Sequence, residues 1–154
     1  MTEPDFLTTV VPLLRAEVEA LQNGDTGPRR ALWSRREPLS LFGAELSAAG
    51  RAEIEPVFER LAASFHGCRS CELDVVAGGA SGDLGYVVAI ERSVVDGPGD
   101  EPISFALRVT TVLRREDGRW RIVHRHGDPV DDATRAALAT RPARPWRRGT
   151  SDAS

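Results

Sequence analysis

The sequence predicts a single α+β domain, with three N-terminal helices packed on one face of an antiparallel sheet. The first observation is a change of apolar period, from three- and four-residue steps before residue 66 to strand-like alternation from Cys71 onward. The second is a pair of turn sequences, at residues 96–100 and 116–119, which divide the second half into strands. The length of 154 residues, with 41% apolar and 28% charged residues, fits one globular domain.

Three helical segments precede the strands. Residues 4–22 carry apolar side chains on one helical face, although Pro12 predicts either a kink or a later helix start. A Gly-Pro pair opens a short second helix over residues 27–33, because proline suits a first helical position. Residues 39–43 read as a short strand closed by glycine. Ser47 is placed to cap a third, longer helix with one apolar face.

Four strands are predicted from the alternation that follows, over residues 73–77, 86–95, 103–115 and 120–128. After Pro129 the pattern weakens to Ala, Arg and Pro. We therefore expect the domain to span residues 1–130. Residues 131–154 are expected to add a short helix from Asp132 and a disordered Arg/Pro-rich tail, because the tail has too little apolar surface to order itself.

Charge and composition exclude several classes of function. The formal net charge is −3, and outside residues 131–154 there are 15 Arg against 20 acidic residues, so no nucleic-acid partner is predicted. All 20 basic residues are Arg, which excludes a Schiff-base lysine. No apolar stretch approaches the roughly 20 residues that span a bilayer, and Glu3 and Asp5 do not fit a secretory signal. We expect a cytoplasmic protein with no membrane partner.

The closing hairpin at residues 107–126, with the turn Arg-Arg-Glu-Asp-Gly-Arg-Trp-Arg-Ile-Val-His, is the most distinctive stretch of the sequence. Together with the order of elements over residues 4–130, it resembles the nuclear transport factor 2-like superfamily, in its SnoaL-like and ketosteroid isomerase-like branch. The resemblance implies a cone-shaped, curved antiparallel sheet of the cystatin-like α+β barrel type. It also implies a pocket for a small hydrophobic ligand between sheet and helices, and commonly a homodimer through the other sheet face. It implies no single activity, because the superfamily includes isomerases, cyclases and dehydratases beside transport and assembly modules.

The candidate catalytic residues lie on the final strand. Strict alternation places His124, His126 and Asp128 on the same face as Trp120, which we expect to be the inward one. Histidine titrates near neutral pH, so His126 or His124 is predicted to move a proton while Asp128 fixes its tautomer. Alternatively, the histidines hydrogen-bond within the sheet and only stabilise its end. A bulge near Gly127 would also reverse the two faces.

Neither a metal nor a cofactor is predicted. In the His-x-His-x-Asp run, positions four apart lie about 13 Å apart along a strand, so the three side chains cannot readily converge on one ion. Cys68 and Cys71 have the spacing of a redox motif, but a helix precedes them and a strand follows, the reverse of the thioredoxin order. We interpret them as reduced thiols without essential chemistry.

Possible ligand contacts come from aromatic side chains and from the strand before the last. The aromatic candidates, which are pocket walls or ordinary core residues, are Trp33, Phe42, Phe58, Phe65 and Tyr86. Arg108 and Thr110 share one strand face, and if it points inward Arg108 could bind an anionic ligand group. The sequence thus supports a cofactor-independent isomerase, cyclase or dehydratase acting on a small hydrophobic molecule. The alternative is a non-catalytic ligand-binding or dimerisation module.

Overall fold

The computed structural model describes residues 3–43 and 46–139. The predicted tail from Arg141 onward lies outside the described residues. In the described part, the helices are α1 Glu3–Gln22, α2 Gly27–Leu32, α3 Arg51–Ala63 and α4 Asp132–Ala139. The strands are β1 Ser40–Gly43, β2 Leu46–Ala49, β3 Cys68–Ser81, β4 Leu84–Asp96, β5 Pro102–Glu116 and β6 Arg119–Pro129.

The six strands form one curved sheet that does not close, in the order β2-β1-β6-β5-β4-β3. Every neighbouring pair is antiparallel except β1 and β6, which run parallel. Helix α1 packs on β3, and the aromatic ring of Phe6 in α1 meets Trp120 of β6 edge-on, with 4.7 Å between ring centroids. We call the sheet face toward α1 the inner face and the opposite one the outer face. The predicted α+β class is confirmed.

Helix α1 runs without interruption from Glu3, so the later start that Pro12 allowed is wrong. Pro12 is exposed, which lets its ring project into solvent while the apolar side of the helix stays buried. In the described part of the chain, no helix has the combined length and apolarity that crossing a membrane requires. Helix α4 begins at Asp132, where the sequence predicts a short helix, and packs on β5. The division at residue 130 stays a prediction.

The start of α3 differs from the prediction. Ser47 lies in β2, a strand that the sequence analysis did not identify, and the N-cap of α3 is Gly50 with φ of 83°. Two carboxylates take over the capping: Glu53 accepts from the Ala49 amide at 2.9 Å, and Glu37 accepts from the Arg51 amide at 2.8 Å. A helix start capped from outside the local Ser-x-x-Glu pattern is not visible to pattern reasoning.

Strand β3 is longer than predicted because glycines continue it past residue 77. Gly78 of β3 and Gly85 of β4 lie beneath α1. A Cβ atom would stand 2.7 Å from Leu7 at Gly78 and 2.5 Å from the Phe6 ring at Gly85. These glycines are therefore required by the close approach of the helix to the sheet rather than by a turn.

The buried apolar side chains form two separate clusters. The large apolar cluster joins α1, α2 and α3 to the sheet and includes Trp33, Phe58 and Ile122. The small apolar cluster contains Val95 and Phe105, with half-buried residues of β5 and α4 packed against it. Between the two clusters, the side chains on the inner face are polar instead of apolar.

Candidate functional site

An extra residue in β6 determines which side chains face the helices. Leu113 of β5 lies opposite Ile122, but the next residue back, Val112, lies opposite His124, so Val123 has no partner of its own. Residues directly opposite one another in antiparallel strands share a face, so this bulge shifts the alternation of β6 by one position. From Val123 onward, the inward positions of β6 carry Val123 and Arg125 instead of the histidines.

The expectation that His124, His126 and Asp128 face inward is therefore wrong, because the alternation predicted from Trp120 breaks at the bulge. The reversal that a bulge near Gly127 would have caused arises four residues earlier. All three side chains lie on the outer face, where His126 Nε2 is 2.8 Å from Asp128 Oδ2 and both side chains are 40% or more exposed. A catalytic role for these residues stays a prediction, and any such role would be on the outer face.

His124 is held in the sheet by a hydrogen bond between its Nδ1 and the Ser40 hydroxyl, at 2.7 Å. Burial lowers the pKa of His124, a hydrogen bond to the Ser40 backbone opposes that shift, and the neighbouring His126 lowers the pKa further. The net pKa lies below the usual 6.5, so the ring is mostly neutral at pH 7. This is the hydrogen-bonded arrangement that the structural interpretation of these histidines predicts.

The remaining predicted ligand residues divide between the core and the outer face. Trp33 and Phe58 are fully buried in the large apolar cluster, with ring centroids 5.6 Å apart. Phe65 is half-buried in the small apolar cluster and stacks on Phe105. The expectation that Phe42 and Tyr86 are pocket walls or core residues is wrong, because strand register places both on the outer face. The register also places Arg108 and Thr110 on the outer face. Sequence alone did not decide between the two faces for Arg108 and Thr110.

A layer of buried polar side chains separates the two apolar clusters on the inner face. Along β4 the inward positions Val87 and Ala89 join the large cluster and Val95 joins the small one, while Glu91 and Ser93 stand between them. The other elements that contribute to the inner face also carry buried polar side chains at this level. We call this set the polar layer: Glu17, Gln22, Arg29, Glu91, Ser93, Thr111 and Arg125, each at most 9% exposed.

Glu91 and Arg125 form a buried bidentate ion pair. Arg125 donates from Nη1 and Nη2 to the two carboxylate oxygens of Glu91, at 2.5 and 3.0 Å. Burial would raise the pKa of Glu91, but the charge and hydrogen bonds of Arg125, with the charge of Arg29, outweigh burial and lower it. Burial likewise works against the charge of Arg125, but Glu91 and Glu17 raise its pKa above the already high usual value. Both groups are therefore charged inside the domain.

A second buried pair joins α1 to α2. Arg29 Nε donates to Glu17 Oε2, and the Arg29 guanidinium lies over the Phe58 ring at 5.9 Å from its centroid. Gln22 Nε2 donates to the Ser93 hydroxyl at 2.9 Å. Within the described residues, two acceptors of this layer are buried without a hydrogen-bond partner: Glu17 Oε1 and Gln22 Oε1. Buried acceptors are normally satisfied, so a donor from a ligand or water fits here.

The polar layer was not predicted, although the sequence contains part of the signal for it. Glu17 falls within the apolar stripe of α1, three residues after Leu14, and Glu91 interrupts the apolar row of β4. A charged residue at an inward position of such a pattern is a signal for a buried site. Arg125 could not be found in this way, because the bulge that turns it inward is not encoded in an obvious residue type.

The cysteines lie on β3 and are free thiols. Cys71 is buried, and burial, with the charge of Glu91, raises its pKa to about 11. Burial also raises the pKa of Cys68. Within residues 3–43 and 46–139, no three His, Cys, Asp or Glu side chains are grouped to hold a metal ion. The geometry thus leaves the polar layer as the chemically distinctive part of the inner face.

Comparison with known proteins supports the same architecture. The family model for the SnoaL-like domain matches residues 10–131. No curated protein matches the sequence significantly. A proposed dehydratase of the nuclear transport factor 2-like family from Streptomyces avermitilis is similar in structure, with a TM-score of 0.68, 19% identity, and coverage of 84% of this chain and 99% of that one.

Two further solved structures share the fold at low identity. A ketosteroid isomerase-like protein from Erwinia carotovora atroseptica has a TM-score of 0.63 and 16% identity, covering 81% of this chain and 96% of its own. A proposed calcium/calmodulin-dependent protein kinase type II association domain from Thiobacillus denitrificans has a TM-score of 0.63 and 22% identity, covering 77% and 93%. At these identities, the likeness concerns the fold alone.

Proposed function

The chain belongs to the SnoaL-like domain family, and from this premise we propose that it binds a small, largely apolar molecule at the polar layer through a hydroxyl or similar donor. The observation that carries the proposal is the buried Glu17 carboxylate, whose Oε2 accepts from Arg29 while Oε1 has no partner among the described residues. A ligand donor at Oε1 would satisfy the acceptor. The two apolar clusters would face the rest of the ligand.

The energetic argument is that the polar layer is poorly explained as a device for stability. Buried ion pairs repay their desolvation only with good geometry, and apolar replacements of similar volume are often as stable or more stable. Here two such pairs, Glu17–Arg29 and Glu91–Arg125, occupy positions where the inner face is otherwise apolar. A few polar or charged groups set among apolar walls are the usual composition of a small-molecule site.

The chemistry we propose is cofactor-independent proton transfer. Glu17 Oε1 would take a proton from the bound molecule, while Arg29 holds the other carboxylate oxygen and keeps the base in one orientation. The proton ends on Glu17 and returns to a different atom of the ligand in an isomerisation, or leaves with a hydroxyl as water in a dehydration. Both reaction types occur among proteins of this fold, as the dehydratase and the ketosteroid isomerase-like relatives suggest. In this proposal, Glu17 replaces His126 as the base.

Binding can be tested without knowledge of the natural ligand. Thermal-shift and NMR titrations of the full chain would compare cyclic alcohols with their deoxy analogues. We expect alcohols to bind more tightly, and Glu17→Gln to weaken them by about tenfold or more, since hydrogen bonds to charged groups contribute about 1.5–3 kcal/mol. Glu19→Gln on the same helix, at a side chain 46% exposed, is the matched control.

Because Glu17→Gln leaves Arg29 buried without its counter-charge, the double variant Glu17→Gln/Arg29→Gln keeps the site neutral if the single variant unfolds. Equal affinity for alcohols and deoxy analogues, or equal loss in the Glu17 and Glu19 variants, would contradict the proposal. Once a substrate has been identified, Glu17→Gln should lower its turnover by about 100-fold or more. Unchanged turnover would reject Glu17 as the base and leave only the binding part of the proposal.

A second candidate function is supported by the outer face, which exposes apolar side chains that a partner could cover. Tyr86 is 47% exposed and Phe42 40% exposed, and both lie on this face with His126. Sheets with one uncovered apolar face commonly pack against a second copy. We propose a homodimer through the outer face, in which case the chain could act as an assembly module without catalysis.

Light scattering coupled to gel filtration decides this second proposal. We expect a dimer mass for the native chain and a shift toward monomer in Tyr86→Glu. Leu13→Glu is the control, because Leu13 is similarly exposed, at 45%, but lies on α1. A monomer mass for the native chain at high concentration would reject the homodimer. Equal effects of the two variants would place the contact elsewhere.

A further inference from the structure

A groove of about 540 Å³ lies beside the β5–β6 turn, apart from the polar layer. Its lining comes from the hairpin, from the end of α2 and from the segment that follows α2. The charged side chains that line it are Arg35, Arg36, Arg119, Arg121, Glu116 and Asp117. We call it the arginine groove. The volume falls in the range of about 300–1,000 Å³ that is typical of sites for small molecules.

The arginine groove has an excess of positive charge, because its two acidic residues are already matched. Glu116 pairs with Arg114, which is not part of the lining, at 2.6 Å. Asp117 pairs with Arg36 at 2.6 Å. Within the described residues, Arg35 and Arg119 are exposed and have no ion pair. Two guanidinium groups are therefore left for a ligand.

The wall of the groove is held in place by a polar network. The Ser34 hydroxyl is 2.7 Å from Glu116 Oε2 and accepts from the Arg36 amide at 2.9 Å. Arg114 donates to the Arg36 carbonyl at 2.8 Å, which ties the segment after α2 to the hairpin. Burial works against the charge of Glu116, but the bonds from Ser34 and Arg114 and the charge of Arg114 hold its pKa below the usual value. The segment that carries Arg35 is thus fixed before any ligand binds.

A buried donor in the lining is also unsatisfied. Trp33 contributes to the groove lining, and its Nε1 is buried without a hydrogen-bond partner among the described residues. Arg121 donates to the Ala31 carbonyl, which fixes its position without neutralising its charge. The side chains of Trp33, Arg35, Arg119 and Arg121 offer only donors, which suits the groove to an anion.

We infer that the arginine groove binds a small organic oxyanion, carrying a phosphate or carboxylate group, with Arg35 and Arg119 as the two contacting cations. The planar guanidinium presents paired N–H donors that match the oxygens of either group. The site is separate from the polar layer and does not depend on the function proposed there.

Isothermal titration of the full chain at low ionic strength would test the inference, with pyrophosphate as the phosphate probe and citrate as the carboxylate probe. We expect at least one probe to bind, and Arg35→Gln and Arg119→Gln each to weaken it by about tenfold, the usual effect of removing one charge-assisted hydrogen bond. Raising the salt concentration should weaken binding as well. Whichever probe binds more tightly identifies the anionic group.

Arg60→Gln is the matched control, since Arg60 is an exposed arginine on α3, outside the groove lining, and the substitution removes the same charge. All three substitutions are at exposed side chains, so little change in melting temperature is expected. Affinity that falls in the two groove variants and not in Arg60→Gln supports the site. Absence of binding for both probes up to millimolar concentration, or an equal loss in Arg60→Gln, overturns it.

Discussion

Breaking the Glu91–Arg125 pair on one side should strongly destabilise the domain. In Glu91→Gln, Arg125 keeps its charge at a side chain 11% exposed but loses the two charged acceptors at 2.5 and 3.0 Å. Removing one partner of a buried ion pair typically costs about 3–5 kcal/mol. At about 3 °C per kcal/mol for a chain of this size, the melting temperature should fall by about 10–15 °C.

Removing both charges should cost far less. The double variant Glu91→Leu/Arg125→Met replaces the pair with apolar side chains of similar volume, and such replacements are often neutral or stabilising by about 1–4 kcal/mol. The exposed control is Asp74→Asn, which breaks the Arg92–Asp74 pair at side chains 57% and 53% exposed. Its expected effect is about 1 kcal/mol or less.

Chemical denaturation of the three variants measures these free energies of unfolding directly. The reasoning is refuted if Glu91→Gln lowers the free energy of unfolding by less than about 1 kcal/mol, because breaking an ion pair that is buried from water should cost more. It is also refuted if the double variant is as unstable as the single one. In that case the loss would come from packing rather than from an uncompensated charge.

The same pair predicts the direction of the pH dependence. The folded pKa of Glu91 lies below its usual value of 4.5, so the unfolded chain binds more protons in acid. The stability that Glu91 contributes is therefore fully present above pH 4.5 and is lost as the pH falls through the lower folded pKa. Denaturation between pH 3 and 7 should show this loss in the native chain and a smaller loss in the double variant.

Two further predictions concern the outer face and the cysteines. By NMR titration, the pKa of His124 should lie below 6.5, because burial and the neighbouring His126 lower it; a value above 6.5 in the folded chain would contradict that burial. At pH 8, Cys71, with a pKa of about 11, should have roughly one thiolate per thousand and react slowly with a disulfide reagent, whereas half-buried Cys68 should react first. Rapid labelling of Cys71 in the folded chain would count against its burial.

Much of the fold could be predicted from the sequence because its signals are local. The helical spacing before residue 66, the strand alternation after Cys71 and the turn at residues 116–119 are each complete within a short window. Strand β2 and the cap of α3 were missed, because both depend on contacts with the distant Glu37 and β1. Such elements are selected by tertiary pairing, which overrides local propensity.

The candidate site could be predicted less well because it depends on strand register. A single unpaired residue, Val123, exchanges the two faces of β6, and nothing in the residue types around it indicates a bulge. His126 was therefore expected inside and lies outside, while its neighbour Arg125 lies inside. Glu17 and Glu91 could have been found from charge at inward positions, since those positions do not depend on the bulge.

Strand β6 serves two surfaces at adjacent positions, and the bulge determines which residues face each of them. Arg125 completes the buried pair with Glu91, and His124 on one side and His126 on the other face outward beside Phe42. A substitution on the outer face should therefore alter association without altering the interior, unless it moves the backbone of β6. If Tyr86→Glu abolished both dimer formation and alcohol binding in a folded chain, the two faces would be coupled through the sheet. Independent effects would show that one sheet carries two separable functions.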